Sequence, residues 1–410
     1  MRPYPIYSDS GVGWLGKVPE HWQVRPFRYV CRLAYGDSLA SEAREAGDVP
    51  VFGSNGVVGK HSDPNTLERA IIVGRKGSHG EVNFSKAEAF AIDTTYFVDR
   101  RYTESDLRWL YYTLLSADLA DVSKDSAVPG LSREDAYEKR LPLPPLDEQR
   151  DIAAFLDRET ERIDLLIAKK RLLIERLQEY RTALITRTVT RGLPPKAARA
   201  AGLDPSTRLK PSGVEWLGDV PEHWIITRLR RVVGLKAGHG ITTEEIEQEG
   251  DFPVFGGNGQ RGFTDQYTHD GQFVLIGRQG ALCGNVHTAE GRFWASEHAV
   301  VGTPESGQNH RWLGHLLDAM NLGQHSAAAA QPGLAVDRIN ALHVPVPPTA
   351  EQAAIAAFLD SEHQRTDNLV KRMEEAVERL QEYRTALITA AVTGKIDVRD
   401  EASVTAVRAE

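Results

Sequence analysis

The chain is poor in cysteine, with only Cys31 and Cys283 in 410 residues. That excludes a disulfide framework and leaves two thiols suited to a reducing, cytoplasmic setting. No apolar run approaches the roughly 18 residues of a spanning helix. The start, "MRPYPIYSDSGVGWLG", lacks the charged-then-apolar order of a secretory signal, so no membrane partner is expected. Positive charge is not in excess: 49 Lys and Arg face 57 Asp and Glu, a net charge of −8, so any contact with nucleic acid has to be local. The motifs of self-contained catalysis are missing too. "GGNGQRG" holds a formal G-x-G-x-x-G at 257–262, but "FTDQYT" follows where a dinucleotide site needs a helix, and the related "GSNGVVG" lacks the pattern. Gly59 and Lys60 belong to no phosphate-binding loop. Thirteen histidines include no H-E-x-x-H, and two lone cysteines make no zinc site. Neither an Asn-Pro-Pro-Tyr-type loop nor a nuclease carboxylate–lysine cluster is found.

What is present is a repeat. "WLGKVPEHW" at 14–22 returns as "WLGDVPEHW" at 216–224, eight of nine letters identical. At offsets of 202 to 204 residues, "PVFGSNG" (50–56) matches "PVFGGNG" (253–259) and "VGRKGS" (73–78) matches "IGRQGA" (276–281). Pro129, Gly130 and Leu131 match Pro332, Gly333 and Leu334, and "LPLPPLDEQRDIAAFLD" from Leu141 matches "VPVPPTAEQAAIAAFLD" from Val344. The longest identity is "ERLQEYRTALIT", at 175–186 and 378–389. A period this long is a duplicated domain pair rather than a solenoid.

The second part of each copy has a 3–4 apolar spacing. Ile152, Leu156, Glu159, Ile163, Leu166, Lys170, Leu173, Leu177, Tyr180 and Leu184 form one series. Ile355, Leu359, Glu362, Thr366, Leu369, Met373, Ala376, Leu380, Tyr383 and Leu387 form the other. Eight of ten are apolar in each, which predicts a coiled-coil seam on a helix roughly 60 Å long. The first part of each copy reads as strand–turn–strand ("AIIVGRKGSHGEVNF", "FVLIGRQGALCGNV") followed by one amphipathic helix around Trp109 or Trp312. The expected fold is α+β: two mixed domains (1–142 and 213–345), and two long helices (143–192 and 346–395) forming an antiparallel coiled-coil pair with pseudo-two-fold duplication. A basic, proline-containing linker (193–212) and a tail (396–410) complete the chain. The two Trp-containing motifs are expected to pack where a domain meets its helix, with His21 and His223 as packed, hydrogen-bonded histidines.

The order and duplication of these segments resemble the specificity subunit of type I restriction-modification systems. "SGVEWLGDVPEHW" from Ser212, "PPLDEQ" and "PPTAEQ" before the helices, and "YRTALITAAVTGKIDVR" near the end carry the resemblance, which covers nearly the whole chain. It implies two target-recognition domains, each reading one half of a split, asymmetric double-stranded DNA site. It also implies long helices that receive two modification (methyltransferase) subunits, with or without restriction subunits. S-adenosylmethionine, ATP and Mg are then expected on those partners, and no cofactor, metal or catalytic residue on this chain.

The glycine turns are the first candidates for DNA contact. Gly74, Gly77 and Gly80 would let backbone approach a phosphate, with Arg75 and Lys76 supplying charge and Ser78 and His79 reaching base edges. Arg278 and Gln279 take these places in the second copy and make a guanine/adenine reading pair. Thr94 and Thr95 are set against Glu297 and His298, where the copies diverge. Asn55 and Asn258, more often turn formers, and the basic Lys60 and Arg261 complete the set. The seam residues, together with the rest of the two helices, are the expected partner-binding surface. A protein-binding coiled-coil adaptor and a self-contained restriction or modification enzyme are the competing readings. The adaptor leaves two diverged domains with shared Gly-Arg turns unexplained.

Overall fold

The computed structural model describes residues 2–122, 130–280, 283–325 and 333–399. Pro129, Ala281, Pro332 and the tail from 400 onward lie outside the described residues. The chain forms two compact units: Met1–Lys170 with Glu375–Glu410, and Arg171–Glu374. The dividing points therefore fall inside the long helices, Leu146–Arg191 and Thr349–Val392, rather than between domain and helix.

In unit 1 a four-stranded antiparallel sheet runs in the order Ala34–Tyr35, Thr95–Val98, Ala70–Gly74, Val82–Ser85. A three-stranded sheet pairs Gly56–His61 with Val49–Gly53 and that strand with Phe90–Ala91. The run "AIIVG" is buried at every position, because one face meets helix Leu107–Ser116 and the other a small core of Phe52, Ala89 and Phe97. Asp106 caps that helix by accepting from the amides of Arg108 and Trp109, and Trp109 and Leu110 are fully buried beneath it. Unit 2 repeats the plan with one change. Its strand Val286–Ala295 is ten residues long and pairs with both His269–Gly277 and Phe252–Gly256, giving one six-stranded sheet. In unit 1 that strand is interrupted between Ser85 and Phe90, so the sheets stay separate.

The repeated motifs close each domain onto a long helix. Glu148, at 6% exposure, receives Trp22 Nε1 at 3.0 Å, His21 Nε2 at 2.9 Å, and the Tyr4 hydroxyl. Glu351 receives Trp224 Nε1 at 3.1 Å and His223 Nε2 at 2.8 Å. The next residue ties down the amphipathic helix. Gln149 accepts from the Asp106 amide and donates to Pro144 O, both at 2.9 Å, and Gln352 does the same with Asn309 and Pro347. The Glu-Gln pair of both "DEQ" and "AEQ" is thus a scaffold device. A carboxyl group this far from water is tolerated because several donors satisfy it.

The helix seam differs from the expected one. In unit 1, Leu156, Thr160, Ile163 and Ile167 are buried with Val377, Leu387, Ile388 and Ala391 of the second helix, and Asp164 meets Arg384 at 2.9 Å. In unit 2, Ile185, Thr188 and Val189 are buried, as are Leu359 and Thr366, and Arg181 meets Asp367 at 2.9 Å. Early turns of one helix thus accompany late turns of the other within each unit, as an antiparallel pair requires. Ile152, Leu156, Ile163, Ile355, Leu359 and Leu387 are buried, and Leu177, Leu184, Leu369, Met373 and Leu380 half-buried. But Leu166, Leu173, Tyr180 and Tyr383 stand 40%, 45%, 53% and 52% exposed. The packed residues one step on are Ile167, Ile174, Arg181 and Arg384. Both series have the same 3.5-residue repeat and share every other position, and the triplets "LLI" at 165–167 and 172–174 are apolar across both edges. The helices pack on the isoleucine edge and leave the leucines outward.

Candidate DNA-reading surfaces

In unit 1 the glycine turn is held from two sides. The Thr94 carbonyl accepts the Arg75 amide at 2.8 Å, the Lys76 amide at 3.2 Å and the Ser54 hydroxyl at 2.7 Å. On the other side the Leu131 amide donates to Arg75 O at 2.8 Å, and Lys76 bridges to Gly130. The turns at 54–55, 75–80 and 93–94 thus converge, bringing Asn55, Arg75, Lys76, Ser78, His79 and Thr94 to one end of the sheets. Lys76, Ser78 and Asn55 are exposed there, and His79 folds its Nδ1 back to Gly77 O at 3.2 Å.

Two expectations need correction. Thr95 is fully buried with its hydroxyl on Ile92 O at 2.8 Å, so it holds the turn and cannot reach a base. Lys60 lies on the neighbouring strand, its exposed Nζ 2.9 Å from exposed Asp48. The glycines are also not all open to a phosphate. A Cβ on Gly80 would lie 2.4 Å from Ala120 N, and one on Gly74 2.1 Å from Ser78 O, whereas Gly77 faces open space at φ 71°. Gly80 is there because the turn packs on the segment after the amphipathic helix, and Gly284 meets Gly323 in the same way.

Unit 2 uses the same backbone frame. The Arg278 amide donates to His298 O at 2.9 Å, the Leu334 amide to Arg278 O at 3.0 Å, and Gln279 bridges to Gly333. These bonds equate His298 with Thr94 and Glu297 with Asp93, one residue away from the sequence pairing; Thr95 corresponds to Ala299. His298 and Glu297 stand 3.2 Å apart, with the other Glu297 oxygen buried and unpartnered among the described residues. Asn258 accepts from Asn285 at 3.4 Å, and Arg261 is exposed on the next strand. Three residues went unnoticed in the sequence, Tyr35, Tyr96 and Arg133. Tyr35 is 45% exposed, with the Arg75 guanidinium 4.8 Å and the Arg133 guanidinium 4.9 Å from its ring centre. Burial raises the phenol pKa of Tyr96, which lies 5.1 Å from Tyr35. Only the tertiary fold joins positions 35, 75, 96 and 133, so no local motif marks them.

Each unit also has a cavity between its amphipathic helix and the long helices. That of unit 1, about 630 Å³, is lined by Phe84, Tyr111, Tyr112 and Thr160 around Arg108 and Asp157. That of unit 2, about 510 Å³, keeps the matching Arg311 and Asp360 but places Thr288, Gly314, His315 and His363 where those residues stood, and His287, the counterpart of Asn83, lines it too. His315 Nε2 faces Asp360 at 2.8 Å. Burial lowers the pKa of all three histidines, that of His363 to about 4.

Comparison with known proteins matches residues 19–176 and 221–379 to the model of the type I restriction modification DNA specificity domain. The EcoprrI specificity subunit of Escherichia coli is 44% identical over 147 residues, 35% of this chain and 37% of that protein, so the match spans little more than a third of it. The MjaVIII specificity subunit of Methanocaldococcus jannaschii is 20% identical over 370 residues, 81% of this chain and 80% of that one. Among solved structures, a chain of a type I R-M system studied for complex assembly and conformational transition superposes with TM-score 0.68 at 15% identity, covering 92% of this chain and 99% of that chain. The HsdS subunit from Thermoanaerobacter tengcongensis gives TM-score 0.50 at 16% identity, covering 92% and 98%.

Proposed function

This chain belongs to the family of type I restriction modification DNA specificity domains, carrying the domain twice, and from that premise we propose that it supplies the sequence specificity of such a system. Each mixed domain reads one half of a split, asymmetric duplex site. One observation carries this reading: a single backbone frame presents two different sets of side chains. Arg75, Lys76 and Thr94 stand in one domain where Arg278, Gln279 and His298 stand in the other. Frame bonds fix position, and the exposed donors and acceptors select bases. The long helices receive two modification subunits. The outward Leu165 and Leu166 of unit 1, and Leu172, Leu173 and Tyr180 of unit 2, supply the apolar area that such docking needs. S-adenosylmethionine is held by those subunits, and ATP and Mg by restriction subunits where these join. This chain's own residues do no bond-making.

The test is methylation mapping with the full chain and its modification subunit. Replacing Arg75 and Lys76 by alanine should relax one half-site only, and replacing Arg278 and Gln279 the other only. A uniform loss over all sequences would reduce these residues to phosphate contacts. Methyl transfer by the pure chain with S-adenosylmethionine and DNA would overturn the assignment of catalysis to partners.

A further inference from the structure

The two reading turns share a frame but not the way their arginine is held. In domain 1, Arg75 lies in a column of rings and guanidiniums. Its Cζ is 4.8 Å from the Tyr35 ring centre and 5.7 Å from that of Tyr96, while Arg133 Cζ is 4.9 Å from Tyr35 and 6.0 Å from Tyr137. The column is itself tied down, for the Tyr96 hydroxyl donates to Leu131 O at 3.1 Å, and the Leu131 amide donates to Arg75 O. Arg133 Nε is buried with no hydrogen-bond partner among the described residues, and its ion pair with exposed Glu134 is long, at 3.6 Å, so ring contact is what orients it. Arg75 Nη1 donates to the Asp93 backbone carbonyl at 3.4 Å, and among the described residues no carboxylate pairs with it.

Among the described residues, domain 2 has none of this apparatus. The cross-strand pair Tyr35/Tyr96 becomes Ala237/Val300, and Arg133, just after the Ser132 cap, becomes Val336, just after the Ala335 cap. Arg278 therefore leaves the same frame without rings to hold its plane. A stacked guanidinium is fixed in plane and offers its N–H edge, which suits two acceptors lying side by side. On base edges in the major groove, that pair is O6 and N7 of guanine. Charge for a phosphate contact is already supplied by Lys76 in the same turn.

We propose that Tyr35, Arg75 and Arg133 form a guanine-reading element peculiar to domain 1. Arg75 donates to guanine O6 and N7, and Tyr35 is the positioning residue that holds its plane. The inference rests on the DNA-specificity reading above and adds to it the base that one domain selects.

The experiment uses the full chain assembled with its modification subunits and a randomised duplex library, from which bound sequences are recovered. The unaltered protein should select a split site with a guanine in one half. Tyr35→Ala should lower the preference for that guanine about ten-fold and leave the other half unchanged, whereas Tyr35→Phe, which keeps the ring, should retain it. Replacing that guanine by 7-deazaguanine should weaken binding of the unaltered protein and of Tyr35→Phe much more than that of Tyr35→Ala. A thermal melt of each variant separates loss of fold from loss of reading, and Tyr35→Phe carries the test if Tyr35→Ala unfolds. The proposal is overturned if the affected half contains no guanine, if Phe behaves as Ala does, if both halves weaken together, or if 7-deazaguanine changes nothing. Selection of no split site by the unaltered protein would instead remove the DNA-specificity reading, and this proposal with it.

Discussion

Acid should loosen unit 2 through His363, whose pKa falls from 6.5 to about 4 when the protein folds. Burial is the main cause, followed by the nearby charge of Arg181 and the neighbouring His315; Asp367 and Asp360 oppose the shift. The depressed value means that the unfolded chain binds a proton which the folded unit refuses. Stability is therefore full above about pH 6.5, is lost as pH falls towards 4, and then levels off. At pH 5 the linkage for this one group is about 2 kcal/mol. Because the imidazole is only half-buried, solvent screening reduces that to about 1 kcal/mol. For a cooperative unit of this size, about 1 kcal/mol is ~2–4 °C in melting temperature. The perturbation is His363→Thr, which installs the residue that unit 1 carries as Thr160. Scanning calorimetry from pH 7.5 to pH 5 should show a loss in the unaltered protein that is smaller in the variant by that amount. His287 and His315 maintain the remainder. Hydrogen exchange should localise the change to His310–Ala319 and spare Leu107–Ser116, whose cavity is lined by tyrosine and threonine. Equal acid dependence in variant and unaltered protein, or loosening of Leu107–Ser116 first, would refute the reasoning.

Two further outcomes follow from the helices. Ile167→Asp should cost ~3 kcal/mol or more in urea denaturation, since it buries an unpaired carboxylate in a closed seam, whereas the adjacent Leu166→Asp should stay within ~0.5 kcal/mol and instead weaken co-purification of the modification subunit. A fragment of residues 1–205 should form a homodimer. The segment 378–389 that completes unit 1 has its identical copy at 175–186, so a second fragment can supply it. With the modification subunit present, the dimer should methylate an inverted repeat of one half-site, and a monomeric mass by light scattering would count against it.

The duplication, the long helices, the hairpins and the amphipathic helices were legible in the sequence because each rests on local periodicity or on a repeated string. The seam was legible only to one residue. At "LLIAKKRLLI" three adjacent apolar positions recur each heptad, and only the opposing helix decides whether Leu166 or Ile167 turns inward. The pairing of Thr94 with Glu297 failed for a different reason. "RKGSHG" and "RQGALCG" differ in length, so the offset between copies changes inside the turn, and backbone hydrogen bonds rather than letters set the true equivalence. Tyr35 and Arg133 were invisible because a ring–guanidinium column is assembled from four distant segments.

The way unit 1 is put together also bears on how such a protein can be rearranged. Arg2 bridges to Asp397, the Tyr7 hydroxyl donates to Gly394 O at 3.0 Å, and Lys395 Nζ donates to Leu15 O and Lys17 O at 2.9 and 2.8 Å. Residues 2–17 and 394–397 are therefore neighbours within one unit. Joining these segments through a short peptide and cutting instead within 193–212 would keep both long helices whole and every contact of unit 1 in place, so gene order and molecular order are separable in this architecture.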